Sequence, residues 1–320
     1  MTFVFMFPGQ SSRYAGMLDK LCELHPANRE LLGWASDLLH RDLREHYADA
    51  RPGHDPFARN VDVQVGVFLA NHMYLRALEA HDIRADYSLG LSLGEWNHLV
   101  HIGALPFDVA LRAVEVRGRC YDEGPRGIMA AIQPVDEGDL AELVEQGRAQ
   151  GHVEIVNFNS PRQFVIAGEQ AAVAWVAEQA EHELFAQAHV IERQVPMHSS
   201  LFAPVAERFA AHLATLDFQA PERPYLPNRT GEFEPEPTPA RFVELLSSHV
   251  ASPVLWRQAM EAAAARAEDA VFVEVGPMAV LHNLLNRKWL GNRKFRTDDR
   301  DASREHFDGL VHGLRGLALE

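Results

Sequence analysis

Leu89-Gly90-Leu91-Ser92-Leu93-Gly94-Glu95 holds a Gly-x-Ser-x-Gly pattern between a strand-compatible stretch, Asp82 to Leu89, and a helix-compatible run from Glu95. A serine at such a junction sits on a sharp strand-to-helix turn with its hydroxyl pushed outward, where it can act as a nucleophile. Glycine is needed on both sides because a side chain would crowd the turn. A plain tight turn carries the same short signature, so the chemistry depends on partners elsewhere. A hydroxyl is a weak nucleophile at neutral pH and needs a base. Of 17 histidines, His198 stands apart: it follows Pro196 and precedes Ser199-Ser200 on a loop, not on a helix stripe. His98 and His101 are the alternatives. An acceptor must fix the imidazole tautomer, and a backbone carbonyl serves as well as a carboxylate. His249 and the loop Ala251-Ser252-Pro253 are placed to offer one. The backbone N–H groups of Leu93 and of the Gly9-Gln10 loop are expected oxyanion donors. Arg117 offers a two-pronged clamp for a carboxylate, with Arg112 and Arg119 as competitors.

These residues need a scaffold. Phe3 to Phe7 is an apolar strand ended by Pro8-Gly9. Helical stretches follow at Gly16–Cys22, Asn28–Leu39 and Leu43–Ala48, then a loop at Arg51–Pro56. Val61–His81 reads as a long helix, with Val65, Phe68, Leu69, His72, Leu75 and Leu78 at helical spacing. After the serine turn come a helix to about His101 and another over Pro106–Cys120. From Ile128 the pattern changes to strand Ile128–Ile132, helix Glu137–Gln146, strands Val153–Asn157 and Phe164–Ala167 around a turn at Asn159-Ser160-Pro161, helix Ala171–Glu183 and strand Ala188–Glu192. That β-α-β-β-α-β order is ferredoxin-like. Helices are expected at Ala203–Leu213, Pro239–Ser248, Pro253–Ala267 and Ala279–Leu285. Phe218–Pro239 reads as surface loop with a short strand at Tyr225–Asn228. Ala270–Val275 is a buried parallel-type strand, and the charged tail from Trp289 closes with a helix at Ser303–Leu314. The fold class expected is α/β: a large α/β-hydrolase-like domain with a parallel-sheet core, in two parts (1–125 and 195–320), around an inserted small ferredoxin-like domain (126–194).

Composition narrows the function. At 320 residues, 47% hydrophobic and 23% charged, the chain can bury a substantial core. Its 30 basic against 45 acidic residues, net charge -15, argue against binding nucleic acid or an anionic membrane. The only cysteines, Cys22 and Cys120, support neither a disulfide framework nor a thiolate metal site. Met1 to Phe7 has no basic n-region and reads as a strand, not a signal peptide, so the cytoplasm is the expected compartment. No metal-ligand spacing is present, and Gly90 to Gly94 lacks the length and lysine of a phosphate loop. No bound cofactor or metal is expected.

Six ordered motifs carry a further inference: Phe7-Pro-Gly-Gln10; Gly90-Leu-Ser-Leu-Gly-Glu95; Val116-Arg-Gly118; Asn157-Phe-Asn-Ser-Pro161 with Val165-Ile-Ala-Gly168; Pro196-Met-His198; and Glu274-Val-Gly-Pro277. Together they resemble the malonyl-CoA:acyl carrier protein transacylase family, which includes the acyltransferase domains and free-standing acyltransferases of polyketide synthases. The resemblance implies that Ser92 is the nucleophile and His198 its partner, that Gln10 and Leu93 supply oxyanion donors, and that Arg117 binds the free carboxylate of a malonyl-type group. Gln64 matches a pocket glutamine, and His249 falls where relatives carry a glutamine whose carbonyl orients the histidine. It also implies a coenzyme A thioester as donor, the phosphopantetheine of an acyl carrier protein as acceptor, and action as a monomer. The chain departs from the pattern in three places. Ser11-Ser12-Arg13 replaces Gly-Ser-Gln; Leu91 replaces histidine in the pocket; and Met197 precedes the catalytic histidine, where side-chain size tracks the acyl group. These departures favour a specialised polyketide enzyme. The rival readings are an editing thioester hydrolase, a transferase moving an unusual acyl or aminoacyl group between carrier proteins, and a docking subunit without activity. Arg287-Lys288 and Arg293-Lys294-Arg296 form the densest basic cluster for an acidic carrier protein.

Overall fold

The structure, a computed structural model, describes residues 1–48, 53, 55–300 and 303–318. The loop expected at Arg51–Pro56 lies partly outside the described residues. Eight strands are present among them: β1 (Phe3–Phe7), β2 (Tyr87–Gly90), β3 (Ile128–Gln133), β4 (Val153–Ser160), β5 (Gln163–Gly168), β6 (Gln187–Glu192), β7 (Val271–Glu274) and β8 (Arg293–Arg296). They form a parallel sheet of order β2-β1-β7-β8 and a separate sheet of order β4-β5-β3-β6. No helix among the described residues is long and apolar enough to cross a membrane.

The chain divides into two compact units, the first comprising 1–119, 217–225 and 263–320. β1 lies between β2 and β7 and is buried throughout, which is why all five of its residues are apolar. The parallel register sets Phe7 opposite Gly90. The loops after β1 and β2 therefore leave the sheet side by side, and these loops carry Gln10 and Ser92. The Asn60–Glu79 helix is buried over nearly its whole circumference, as its apolar sequence requires.

The charged tail contains a strand that periodicity did not reveal. Arg293-Lys-Phe-Arg296 pairs in parallel with β7 as the edge strand β8. Charge is tolerated on an edge, where it also discourages pairing with another chain. Lys294 Nζ donates to the carbonyls of His282 and Leu285 at 2.8 and 2.6 Å.

The second unit comprises 120–216 and 226–262. It is larger than the 126–194 insertion read from the sequence, because 195–216 and 226–262 cluster with the small sheet. Its strands are antiparallel, in the expected β-α-β-β-α-β order. One hydrophobic core joins Ile132, Phe164 and Ile166 of the strands to Leu140 and Leu143 of the Glu137–Gly147 helix and Val173 and Val176 of the Gln170–Glu183 helix. The turn placed at Asn159-Ser160-Pro161 is tighter: β4 runs through Ser160, leaving only Pro161 and Arg162 before β5. Tyr225–Asn228 is not a strand, nor is it surface; Tyr225, Leu226 and Asn228 are buried. The helix expected from Pro253 starts at Trp256, since Val254 is used in a parallel bridge to Asn157.

Candidate active site

In the first unit, Ser92 stands at the end of β2 with φ +51, a left-handed conformation that costs a side-chain-bearing residue about 1–3 kcal/mol. The turn is too tight for anything but glycine on either side. A Cβ on Gly90 would lie 2.0 Å from the Gly94 carbonyl, and one on Gly94 2.0 Å from the Phe7 carbonyl oxygen. The strained serine is thereby held on a fixed turn. Leu93 follows it at the start of the Gly94–His101 helix, in helical conformation. N–H groups in a first turn have no intrahelical acceptor and point toward an anion placed there.

The Gly9–Gln10 loop packs directly on this turn: a Cβ on Gly9 would sit 2.9 Å from the Leu91 carbonyl oxygen and 3.9 Å from Ser92 Cβ. Asn71, which sequence reasoning passed over, ties the two together. Its Nδ2 donates to the Pro8 carbonyl at 3.0 Å and to Asn97 Oδ1 at 2.9 Å. Gly276 of the Glu274-Val-Gly-Pro277 motif makes room for this arrangement, since a Cβ there would lie 2.3 Å from Asn71 Oδ1. Leu91 is buried in the same turn.

Arg117 is 2% exposed. Its Nη1 donates to Gln64 Oε1 at 2.7 Å and its Nη2 to Ser92 Oγ at 3.4 Å. The local cause is Gly118. A Cβ there would lie 2.4 Å from Val61 Cα, so the Phe107–Asp122 helix meets the Asn60–Glu79 helix backbone to backbone. This contact brings Arg117 to Gln64, whose Nε2 donates to Asn60 Oδ1 at 3.4 Å. The sequence left three arginines competing. Arg112 is exposed, and Arg119 is exposed and paired with Glu115 at 2.8 Å. Gln10, Gln64, Leu91, Ser92, Leu93 and Arg117 thus belong to one unit, with a guanidinium reaching the serine oxygen.

His98 and His101, the alternative bases, are taken up by the core. Both Nδ1 atoms lie within hydrogen-bond distance of Ser88 Oγ, at 2.7 and 2.8 Å. Burial pushes their pKa values down to about 3 and about 4, so both rings are neutral at physiological pH.

The second unit holds Met197, His198 and His249. His198 is 2% exposed with φ +63, and its backbone N–H donates to the Val250 carbonyl at 3.2 Å. Its Nδ1 lies 2.8 Å from the carbonyl oxygen of His249, near the end of the Pro239–Val250 helix, where carbonyls lack intrahelical partners. A carbonyl accepts only, so Nδ1 carries the proton and Nε2 is left as the basic nitrogen. The His249 ring stacks on that of His198, centroids 4.7 Å apart. Met197 is buried beside them. Asn157 and Asn159, quoted above only as motif residues, carry buried side-chain oxygens without a hydrogen-bond partner. Among the described residues no group of three or more histidine, cysteine, aspartate or glutamate side chains is arranged to hold a metal. In the basic cluster, Lys294 is spent on carbonyls and Arg296 on Asp299 at 3.0 Å, while Arg287, Lys288 and Arg293 are exposed.

Comparison with known proteins identifies the family. Residues 4–294 match the acyl transferase domain family. The malonyl CoA-acyl carrier protein transacylase of Escherichia coli (strain K12) is 32% identical over 290 residues, covering 89% of this chain and 92% of that protein. The crystal structure of malonyl CoA-acyl carrier protein transacylase from Clostridium perfringens has a TM-score of 0.88 at 27% identity, covering 100% of both chains. A malonyl-transacylase in complex with its type II polyketide synthase acyl-carrier protein has a TM-score of 0.85 at 26% identity, covering 97% of this chain and 100% of that one. The chain belongs to the acyl transferase domain family, within which it is similar to the malonyl-CoA:acyl carrier protein transacylases.

Proposed function

We propose that the protein moves a malonyl or substituted-malonyl group from coenzyme A, through an acyl-Ser92 ester, to the phosphopantetheine thiol of an acyl carrier protein. In this reading the parallel-sheet body is α/β-hydrolase-like and the small sheet ferredoxin-like, the latter supported by its strand order. Ser92 Oγ attacks the thioester carbonyl as its proton passes to His198 Nε2. The backbone N–H groups of Gln10 and Leu93 receive the negative charge. The tetrahedral intermediate expels the coenzyme A thiolate, which takes the proton from His198. The carrier's thiol then gives a proton to His198 and attacks the ester, and Ser92 departs reprotonated. His198 keeps one orientation throughout because Nδ1 remains on the His249 carbonyl. Leu91, next to Ser92, and Met197, next to His198, are the positions whose side chains bear on the choice of acyl group. The departures from the usual family pattern favour polyketide over fatty-acid biosynthesis.

The observation that carries the reading is Arg117, a buried guanidinium hydrogen-bonded to Ser92 Oγ at 3.4 Å. An acyl group bound to that oxygen lies within its reach, and a carboxylate on the acyl group offsets the burial of the cation. An editing hydrolase for simple acyl chains has no use for it. The test is intact-protein mass after brief incubation with malonyl-, methylmalonyl-, ethylmalonyl- and acetyl-CoA, beside Ser92→Ala. A malonyl or substituted-malonyl adduct that requires Ser92, without an acetyl adduct, is expected. If no dicarboxylic donor labels the protein, malonyl loading from coenzyme A is excluded.

A further inference from the structure

Arg13 stands where the resembling family usually has glutamine, and it folds back onto the turn that precedes it. Gln10–Ser12 is a single turn of 3-10 helix, a conformation with poor hydrogen-bond geometry of its own. Here both of its leading carbonyls are tied twice. The Gly9 carbonyl accepts from Ser12 N at 3.1 Å and Ser12 Oγ at 2.8 Å. The Gln10 carbonyl accepts from Arg13 N at a long 3.4 Å and from Arg13 Nη1 at 3.1 Å. The second of these is charge-assisted and reinforces the weaker backbone bond. Ser11 in place of the usual glycine further narrows the backbone's freedom.

This turn begins at Gln10, and it lies against the Ser92 turn at the Gly9–Leu91 approach. We infer that Arg13 is a positioning residue: its guanidinium clamps the Gln10 carbonyl, which fixes the Gln10–Ser11 peptide and with it the 3-10 turn, so that the adjoining Gly9–Gln10 peptide, held at its carbonyl by Ser12, keeps the Gln10 N–H ready for the oxyanion. The inference rests on the acyl-Ser92 reading above. An oxyanion donor is effective only when its direction is set before the charge develops, and loss of one donor typically lowers kcat by about a hundred- to a thousandfold. Loosening a donor without deleting it costs part of that factor. Arg13 is only half-buried, so its replacement leaves the core intact. Because it acts on the transition state, its effect falls on the rate of acylation and not on donor binding.

The test compares Arg13→Ala, Arg13→Gln and Arg13→Lys with wild type, using rapid-quench mass measurement of Ser92 acylation. Two donors are used: malonyl-CoA, and the malonyl thioester of N-acetylcysteamine, which carries no phosphate. Expected is a fall in the maximal acylation rate of about tenfold or more for Arg13→Ala, equal for both donors, with little change in the half-saturating donor concentration. Arg13→Lys, which keeps a charged donor, should recover more of the rate than the neutral Arg13→Gln. A defect confined to malonyl-CoA and expressed as weaker binding overturns the inference, because it marks Arg13 as a phosphate contact. Unchanged acylation in Arg13→Ala overturns it too, while leaving the acyl-Ser92 reading standing. Failure of the wild type to form any Ser92-dependent adduct overturns that reading and this inference with it.

Discussion

Replacing Arg117 with alanine tests the substrate reading most sharply. In the unliganded protein the change removes the donor to Gln64 Oε1 at 2.7 Å and the donor to Ser92 Oγ at 3.4 Å. Leaving one buried acceptor short of a partner costs about 1–3 kcal/mol of stability, which a domain of this size can tolerate. The larger effect falls on the substrate. A malonyl carboxylate beside Ser92 would enter a site where the arginine is 2% exposed. Removing one member of a buried charge pair costs about 3–5 kcal/mol. At 1.36 kcal/mol per tenfold, kcat/KM for malonyl-CoA should fall roughly 150- to 5,000-fold. Acetyl-CoA has no carboxylate to strand, so its slow acylation should hold steady or rise, and the malonyl-to-acetyl ratio should collapse. Discontinuous acylation assays with both donors, with thermal unfolding as a control for folding, measure both terms. Two results would refute the reasoning: malonyl acylation within threefold of wild type, or equal losses for both donors in a folded variant. The second would assign Arg117 to the serine rather than to the carboxylate.

Four other perturbations bear on the site and its frame. His198→Ala should lower acylation by about a hundred- to ten-thousandfold, as expected for loss of a general base. His249→Ala keeps the carbonyl that holds Nδ1 and loses only the stacked ring, so it should cost roughly tenfold or less; a His249→Ala defect as deep as that of His198→Ala would rule out a backbone role. Gly94→Ala places a Cβ 2.0 Å from the Phe7 carbonyl oxygen, and should yield insoluble or grossly destabilised protein; a variant melting near wild type would contradict the packing at the turn. His98 is fully buried, with its pKa pushed from 6.5 down to about 3. Below pH 6.5 the unfolded chain takes a proton that the folded chain refuses. The stability contributed is therefore complete above that pH and lost progressively as pH falls toward 3, about 2 kcal/mol of it by pH 5. Calorimetry at pH 7.5 and 5 should show a smaller acid-induced drop for His98→Phe, which retains a ring to stack on Tyr225; an undiminished drop would remove His98 as a source of acid sensitivity.

Local chemistry was legible wherever it was written into consecutive residues. Pro8-Gly9 and Gly90-x-Ser92-x-Gly94 each announced a backbone requirement, and in each case a Cβ at the glycine would strike nearby backbone. β1 was readable as an unbroken apolar run, and the Asn60–Glu79 helix by apolar residues recurring at helical spacing. β8 was not, because Arg293-Lys-Phe-Arg296 owes its pairing to the open edge of β7 and not to its own pattern. Tyr225–Asn228 was misread for the converse reason: burial there is imposed by neighbours on an irregular segment.

The sequence by itself determined which groups were available: a serine between glycines, a histidine on a loop, arginines spaced along a helix, and an ordered set of motifs that identifies the family. Tertiary structure alone chose among equals. It committed His98 and His101 to Ser88, left Arg112 and Arg119 on the surface, and set Arg117 between Gln64 and Ser92. It also assigned the orienting acceptor of His198 to a backbone carbonyl, an atom every residue possesses. The physical reason is the same in each case. Side-chain identity fixes what a group can donate or accept, whereas the partner it meets depends on which segments pack together across long stretches of chain.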